Sequence, residues 1–365
     1  MKWRVGIKMF SFKKTYLLPF KYEIPNYKNN FLLQNFLVPR YFKYIKRVLF
    51  IALMGQKNLE VFKIDHSKKN ILWINFSAPS LGDSLMDLSS RVLLQGRRVD
   101  LFTNASNAAI YSHDLYISNI FTNKNSVNQN TYDLVIVDSF SSRSIRIKKN
   151  VAPTVPFVSM FGHYNGPEVN RVLFSFHRMN QLLGYINNEK IICQIAKCSL
   201  FVSREDQKIV QDENLPEKYI SIAVGGEWAY RSYEKWDCLI EKIFRENNRL
   251  NIVIVGSKNG SISAEFLMKK FTGFNIYNCV SRFTFNQTAQ IIKQAKFLIC
   301  CDGGLMHAAN AVDTPIVPLF AKLSEQMQLT DSIRSFPLAD KEDVNNILVE
   351  SIKEKYIEAN NLIKT

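Results

Sequence analysis

Short apolar runs alternate with helical stretches along most of the chain, and the alternation occurs in two series. Such runs are typical of buried parallel β-strands with helices packed on both faces of the sheet. The sequence therefore predicts two α/β units in tandem. The first series is ILWINF (71–76), VDLFT (99–103), DLVIVD (133–138) and TVPFVSM (154–160), and the second is YISIAVGG (219–226), LNIVIVG (250–256), FNIYNC (274–279), KFLICC (296–301) and TPIVPLF (314–320).

The length and one charged segment divide this pattern into domains. A chain of 365 residues accommodates two domains at roughly 100–200 residues each. Between the two series lies SREDQKIVQDENLPEK (203–218), a polar stretch with a proline near its end, which is typical of a connection with few core contacts. We therefore predict, in chain order, a basic extension (1–68), an α/β domain (69–203), a linker (204–218), a second α/β domain (219–340) and a C-terminal helix (341–365).

The positive charge is concentrated at the N-terminus. The net charge is +15, and residues 1–70 hold 15 Lys and Arg against three acidic residues, a balance of +12. This asymmetry favours an anionic neighbour, either a membrane or a nucleic acid. The segment YFKYIKRVLF (41–50) predicts an amphipathic helix with Tyr41, Ile45 and Leu49 on one stripe. Such a helix suits an anionic membrane interface or packs on the protein body, and the sequence leaves both open.

Several classes of protein are disfavoured by what the sequence lacks. The longest apolar run of the extension, VLFIALM (48–54), is far shorter than the roughly 20 residues that span a bilayer. Lysine and arginine interrupt every apolar stretch near the start, so we predict no secretory signal. Six cysteines without a CxxC pair indicate a reducing compartment. No zinc-finger, helix-turn-helix or RNP-like motif accompanies the charge, so no nucleic-acid partner is expected.

Cofactor motifs are missing as well. No GxGxxG follows the first strand of either unit and no GxxxxGK[ST] occurs, so neither a nicotinamide site nor a P-loop is predicted. The five histidines are scattered and no DxD pair is present. We therefore predict no metal and no cofactor.

Ligands of open α/β sheets bind beyond the carboxyl ends of the strands, and the first notable junction is INFSAPSLGDSLM (74–86). There a strand runs into a loop and then a helix that begins near Asp83. Asp83 is either a functional carboxylate or part of a helix cap. Ser84 with Asp87 three residues later also resembles a capping box. Asp87 lies one turn beyond Asp83 on the same helix face.

The second junction is AVGGEWAYRSYEKW (223–236), in which paired glycines precede Arg231. Glycines allow a phosphate to approach the backbone closely, and an arginine can bind that phosphate with two parallel hydrogen bonds. A surface arginine before a helix is common, so this junction predicts a phosphate site only in combination with the other two.

The third junction is CDGGLMHAANAV (301–312), where a strand ends at Asp302 and a helix follows Gly303 and Gly304. Amide groups at a helix start, with the helix dipole, form an anion site that glycines leave open to a diphosphate. Asp302 is expected to hold the turn and to accept hydrogen bonds from backbone or sugar. His307, one turn inside the helix, either donates to a phosphate oxygen or packs beneath the loop.

These three segments, in this order and spacing, resemble the ADP-heptose:lipopolysaccharide heptosyltransferases of glycosyltransferase family 9 over about residues 70–325. The resemblance implies a GT-B fold, in which two Rossmann-like domains face each other across a cleft. The first would hold the acceptor and the second the nucleotide sugar. The resemblance also implies inverting transfer without a metal ion.

The resemblance further implies residue roles. Asp83 matches the aspartate taken as general base, and Asp87 is the reserve candidate. Members often carry Gly-Pro-Thr after the last strand, whereas this chain reads FAKLSEQ (320–326) and places Lys322 near the phosphates. The residues expected to bind the donor diphosphate or sugar are Arg231, Asp302, Gly303, Gly304, His307 and Lys322.

The implied partners are ADP-heptose as donor and a lipid-linked saccharide of the lipopolysaccharide or lipooligosaccharide core as acceptor. The basic extension would then attach the protein peripherally to the inner face of the cytoplasmic membrane. The alternative is a catalytically inactive GT-B protein that binds saccharides or acts as a scaffold.

Overall fold

The computed structural model describes residues 17–26, 37–128 and 131–362. The chain divides into two compact units, Met1–Ala196 and Lys197–Thr365. Each unit contains one parallel β-sheet with α-helices in the connections between strands. This organisation confirms the predicted pair of Rossmann-like α/β domains. The division between the units falls before the segment 204–218 that the sequence suggested as a linker.

The sheet of the first unit has five parallel strands in the spatial order β3-β2-β1-β4-β5. The strands are β1 (Asn70–Asn75), β2 (Arg98–Thr103), β3 (Asn119–Phe121), β4 (Leu134–Val137) and β5 (Phe157–Ser159). The central strands are almost entirely buried, as continuous apolar runs predict. β3 lies at the sheet edge and is partly exposed, so it lacked an apolar run and was not predicted.

The helices of the first unit cover this sheet and its edges. Buried strand residues such as Leu72 and Val135 form one core cluster with Ile51 and Ile145 from two of these helices. The helices are α1 (Leu37–Leu53), α2 (Leu81–Asp87), α3 (Ala105–Ala108), α4 (Ser142–Val151), α5 (Arg171–Leu182) and α6 (Glu189–Ile195).

The sheet of the second unit has six parallel strands in the order β11-β10-β9-β6-β7-β8. The edge strand β11 was not predicted, because its residues are only partly buried. The strands are β6 (Ile220–Ala223), β7 (Ile252–Val255), β8 (Ile276–Asn278), β9 (Leu298–Cys301), β10 (Ile316–Ala321) and β11 (Leu338–Asp340).

The helices of the second unit surround this sheet, and Ile222, Leu239 and Ile352 belong to its main apolar core. The helices are α7 (Arg204–Asp212), α8 (Trp236–Glu246), α9 (Ser261–Lys270), α10 (Phe285–Gln294), α11 (Gly304–Ala311) and α12 (Val349–Leu362). Short 3-10 helices lie at Lys57–Leu59, Ser89–Leu94, Ala109–Tyr111, Lys124–Ser126, Ala229–Arg231, Lys258–Gly260, Glu325–Met327 and Val344–Asn346.

The segment suggested as a linker contains α7. Ser203 caps this helix by accepting a hydrogen bond from the backbone N–H of Asp206 at 2.9 Å. Gln287 of α10 donates to the Asp206 carboxylate at 2.9 Å, and Val210 is buried. The first part of this segment is therefore a helix of the second unit, with Arg204, Glu205 and Lys208 exposed.

The described parts of the N-terminal extension pack on the first unit. Arg40 and Arg47 of α1 donate to the backbone carbonyls of Asn165 and Tyr164, and Lys43 donates to Asn165 Oδ1 at 2.9 Å. The sequence left open whether this helix packs on the body, and its cationic side does so. The rest of the extension, residues 1–16 and 27–36, lies outside the described residues.

Two further observations concern the predicted compartment and anchoring. All six cysteines are free thiols, and Cys198, Cys279, Cys300 and Cys301 are buried. Across the described residues, no helix combines the length and the hydrophobicity that a bilayer span requires.

Candidate active site

The strand order of the first sheet reverses between β1 and β4, which is where open α/β sheets usually bind ligands. Asp138, directly after β4, is buried. Its Oδ2 accepts hydrogen bonds from the backbone N–H groups of Phe76 at 3.2 Å and Ser77 at 2.9 Å. Asp138 therefore fixes the start of the loop that connects β1 to α2.

The N-terminus of α2 presents Asp83. Ser80 is the N-cap residue, and its hydroxyl accepts from the backbone N–H of Asp83 at 3.2 Å and donates to Asp83 Oδ2 at 2.6 Å. Ser84, which the sequence suggested as a cap, is instead buried, with its hydroxyl 2.9 Å from that of Tyr111. The cap is thus supplied by Ser80, and the Asp83 side chain remains 22% exposed.

Arg171 joins the two carboxylates of α2. It binds Asp87 with two parallel hydrogen bonds, Nε to Oδ1 at 2.8 Å and Nη2 to Oδ2 at 2.6 Å. Its third nitrogen, Nη1, donates to Asp83 Oδ1 at 2.6 Å. Burial raises the pKa of the Asp87 carboxyl above its ordinary value, although Arg171 opposes this effect. Burial alone would lower the pKa of Arg171, but the charges of Asp87 and Asp83 outweigh it and raise that pKa.

The segment before α5 holds Arg171 in place. Asn170 caps α5 by accepting from the backbone N–H of Leu173 at 3.0 Å, and its own N–H donates to the carbonyl of Pro25 at 2.9 Å. The Arg171 guanidinium lies over the ring of Phe161, 5.8 Å from its centroid. A short segment of the N-terminal extension is therefore bonded to the residue that precedes Arg171.

In the second sheet the strand order reverses between β6 and β9. The glycines that follow β6 permit close approach of protein segments to one another. The close approach of a phosphate that the sequence suggested at this pair stays a prediction. Gly225 has a φ of +85°, and a Cβ there would lie 2.7 Å from the Cα of Gly260. A Cβ on Gly226 would lie 2.8 Å from the carbonyl oxygen of Arg231. This pair of glycines therefore folds the loop tightly back on itself and on its neighbour.

Arg231, Tyr230, Asp302 and Lys322 form one cluster at the carboxyl ends of β6, β9 and β10. Arg231 Nη1 lies 3.2 Å from Oδ2 of the buried Asp302. The ring of Tyr230 contacts two cations, with its centroid 5.4 Å from the Arg231 guanidinium and 3.8 Å from Lys322 Nζ. Lys322 adopts a left-handed backbone with φ of 64°, a strained conformation that often marks functional sites. Two cations and one carboxylate give these four residues a net positive charge.

The start of α11 is open. Gly303 is its N-cap residue in an extended conformation, and a Cβ there would meet no protein atom within 4 Å. A Cβ on Gly304 would make an ordinary contact with Phe285 at 3.7 Å. His307 lies within α11 and its residue is only 4% exposed. The helix start with its open glycine is suited to bind an anion.

The sequence predicted most of these residues, and the fold groups them within each unit. Arg171 contacts both Asp83 and Asp87. Arg231 contacts Asp302, and the ring of Tyr230 contacts both Arg231 and Lys322. Sequence reasoning missed Arg171, Asp138 and Tyr230. Among the described residues, no group of three His, Cys, Asp or Glu side chains could hold a metal ion.

Comparisons with solved structures identify the fold. The family 9 glycosyltransferase from Veillonella parvula DSM 2008 matches with a TM-score of 0.66 and 12% identity, over 82% of this chain and 98% of that one. ADP-heptose lps heptosyltransferase II of E. coli matches with a TM-score of 0.65 and 17% identity, over 81% and 100%. E. coli heptosyltransferase WaaC with ADP matches with a TM-score of 0.60 and 15% identity, over 80% of this chain and 99% of that one. At these identities the likeness establishes a shared GT-B-like fold.

The family itself follows from the sequence comparison. No curated protein matches the chain by sequence. A family model described as Glycosyltransferase family 9 (heptosyltransferase) matches residues 168–355, just over half of the chain. The matched range includes Arg171 and the whole Arg231–Asp302–Lys322 cluster. The chain is therefore an enzyme of glycosyltransferase family 9, the heptosyltransferase family.

Proposed function

We propose that the enzyme transfers a heptose from ADP-heptose to the core of lipopolysaccharide or lipooligosaccharide, by a single inverting displacement that needs no metal ion. Family membership supports the sugar transfer. The names of the two E. coli neighbours supply the donor nucleotide and the acceptor class, which we carry to this chain as part of the proposal.

Asp83 is the general base of this proposal. The acceptor oxygen bonds to the anomeric carbon, the bond from that carbon to the diphosphate oxygen breaks, and ADP leaves with the bonding electrons. The acceptor proton passes to the Asp83 carboxylate. Each carboxylate oxygen has two lone pairs, so Asp83 can accept this proton while it keeps its contacts with Arg171 and Ser80. The partly exposed, doubly held carboxylate of Asp83 is the observation that carries the proposal.

Asp87 holds Arg171 rather than acting as base. Both of its oxygens are engaged by the arginine, and its side chain is only 5% exposed. Arg171 in turn orients Asp83, so removal of Asp87 would act on the reaction through two intermediate contacts.

Arg231, Lys322 and the start of α11 stabilise the departing diphosphate. Negative charge grows on the leaving group in the transition state, and fixed cations and helix amides stabilise it there. Asp302 keeps the Arg231 guanidinium in place at 3.2 Å. These groups would take the part that a metal ion plays in other sugar transferases, so activity is expected to persist in EDTA.

The acceptor's location supports a cytoplasmic enzyme attached to the inner face of the membrane. A lipid-linked acceptor lies in an anionic bilayer, and residues 1–70 carry 15 Lys and Arg against three acidic residues. Washing membranes with high salt should release the enzyme, since salt screens such attraction. Retention after the wash would argue against electrostatic attachment.

The test is Asp83→Asn in the purified enzyme, with ADP-heptose and heptose-deficient lipopolysaccharide. We expect kcat to fall ~10²–10⁴-fold, the usual contribution of a general base, and ADP affinity to stay unchanged. Asp65→Asn, an exposed carboxylate of the same unit, is the matched control. An Asp83→Asn enzyme with undiminished kcat would remove Asp83 from the mechanism.

Nucleotide release tests the proposed transfer against the inactive scaffold that the sequence left as the alternative. The wild-type protein is incubated with ADP-, GDP- and UDP-sugars and acceptor, and nucleotide release is measured. A scaffold would release nucleotide from none of them. The proposed enzyme releases ADP, and this release is lost in Asp83→Asn.

A further inference from the structure

Helix α1 presents an apolar stripe to the solvent. Phe42, Leu49 and Leu53 are 64%, 57% and 81% exposed. Their spacing of seven and four residues places them on one face of the helix, and the exposed Lys46 lies on the same face. A helix that only covers a globular core has the opposite arrangement, with its apolar stripe inward.

The inward side of α1 makes both hydrogen bonds and apolar contacts, and together they fix the helix orientation. Arg40, Lys43 and Arg47 donate to the segment 164–165, while Ile51 joins the core of the first unit. The apolar stripe cannot turn inward without breaking these hydrogen bonds. The packing of α1 therefore keeps the apolar stripe exposed to solvent.

Helix α4 continues this surface with positive charge. Its Arg146 lies over the ring of Phe50 of α1, 5.7 Å from the centroid. The sequences of α1 (LVPRYFKYIKRVLFIAL) and α4 (SRSIRIKKNV) contain no acidic residue. Arg143, Arg146 and Lys149 of α4 are exposed. Exposed apolar and cationic side chains thus adjoin on two neighbouring helices.

We propose that this surface, formed by Phe42, Lys46, Leu49 and Leu53 of α1 with Arg143 and Arg146 of α4, docks on an anionic lipid bilayer. The apolar side chains insert at the level of the headgroups while the cations bind lipid phosphates. Charge decides between occupants: a second copy of the same surface would bring like charges together, whereas an anionic bilayer neutralises them. The inference rests on the proposed lipid-linked acceptor and specifies how the enzyme reaches it.

Vesicle sedimentation of the full-length protein tests the surface. Wild type should bind phosphatidylcholine vesicles that contain phosphatidylglycerol, and bind pure phosphatidylcholine far less. The triple variant Phe42→Ser, Leu49→Ser, Leu53→Ser should lower partitioning about tenfold or more. The triple variant Lys46→Gln, Arg143→Gln, Arg146→Gln should lose roughly fivefold per cation and most of the salt dependence.

The matched control lies on α9, where Ile262 and Phe266 are 84% and 53% exposed. Ile262→Ser with Phe266→Ser should leave partitioning unchanged, and thermal unfolding verifies that every variant is folded. Apolar and cationic triple variants that bind like wild type would overturn the surface. So would a wild-type dimer that the apolar variant dissociates while neither protein binds vesicles.

Transfer to a delipidated, water-soluble acceptor separates this inference from the proposed function. The apolar α1 variant should retain wild-type kcat on that acceptor, because it alters neither Asp83, nor the donor cluster, nor the loop that begins at Phe76. Transfer without vesicle binding would overturn the docking surface and leave the function standing. Vesicle binding without transfer would support the surface and overturn the function.

Discussion

Arg171 makes its bidentate ion pair with Asp87, the more buried carboxylate of α2, and leaves a single hydrogen bond for the more exposed Asp83. The planar fork of an arginine has one best alignment with a carboxylate, so Asp87 sets the plane of the guanidinium. The remaining Nη1 then sets the position of Asp83 Oδ1. Asp87 thus positions Arg171, and Arg171 positions Asp83, the proposed base.

Arg171→Lys keeps the positive charge but removes this fork. We expect kcat to fall about tenfold to a hundredfold, because Asp83 is no longer held in one position. Affinity for ADP should not change, and steady-state kinetics with ADP titration measure both. Arg171→Gln leaves Asp87 buried without its cation and should destabilise the fold by about 3–5 kcal/mol. Wild-type kcat in Arg171→Lys would show that the ion pair is dispensable for the reaction.

His177 of α5 predicts sensitivity of the fold to acid. It is buried between Phe20 and Tyr22, with ring centroids at 5.7 and 5.1 Å, and burial lowers its pKa to about 4. The unfolded chain takes up this proton near pH 6.5, so stability is complete above that pH and is lost as the pH falls toward 4. Proton uptake by His177 in the unfolded chain lowers the free energy of unfolding by about 3 kcal/mol in all over this pH range.

The measurement compares free energies of unfolding at pH 7 and pH 4.5. His177→Phe should reduce the loss between these pH values, since the folded state then excludes no proton at this position. His66→Phe, at an exposed histidine, is the control and should behave as wild type. Equal acid sensitivity of wild type and His177→Phe would contradict the assignment.

The strands of both sheets could be predicted because a parallel strand buried on two faces reads as a continuous apolar run. The edge strands β3 and β11 could not, since partial exposure breaks the run. Asp83, Arg231 and the Asp302–Gly304 turn were singled out because each lies in the connection that follows such a run. Their roles in the reaction stay predictions. For α1 the period predicted a helix with Tyr41, Ile45 and Leu49 on one stripe, but Tyr41 and Ile45 are partly buried and the exposed apolar residues are Phe42, Leu49 and Leu53. Periodicity does not tell which face a helix turns inward.

Arg171 was not predicted because its partners lie 84 and 88 residues away in the sequence. One signal was present nonetheless. Arg171 is the first residue of α5, where the helix dipole disfavours a cation, so its presence there calls for a carboxylate partner. Asp138 carried a similar signal, as a lone acid directly after the buried run of β4.

The two glycine pairs predict opposite effects of the same substitution. Gly303→Ala should leave the free energy of unfolding unchanged within about 0.5 kcal/mol, since its Cβ meets no protein atom within 4 Å. It should weaken ADP binding, because the methyl group occupies the space in front of α11. Gly225→Ala should destabilise the fold by at least about 1–2 kcal/mol, since it forces alanine to a φ of +85°.

Thermal unfolding and ADP titration of both variants make this comparison. A Gly303→Ala enzyme that binds ADP as wild type does would argue that the diphosphate lies elsewhere. A Gly225→Ala enzyme of wild-type stability would argue that the tight loop after β6 relaxes at no cost.

Tyr230 should determine how well two cations meet the donor. Its ring lies 3.8 Å from Lys322 Nζ and 5.4 Å from the Arg231 guanidinium, and each such contact is worth about 0.5–1 kcal/mol at exposed sites. Tyr230→Leu removes both contacts but keeps both charges, so we expect ADP affinity to fall about fivefold through lost positioning.

Lys322→Gln removes a charge itself and should also flatten the salt dependence of ADP binding. Lys269→Gln on α9 serves as the control, because it lies on an exposed helix face away from the ends of β6, β9 and β10. Weaker ADP binding in Tyr230→Leu with unchanged binding in Lys322→Gln would contradict the proposed role of Lys322 in donor binding. The Tyr230 ring would then position only Arg231 or contact the nucleotide directly.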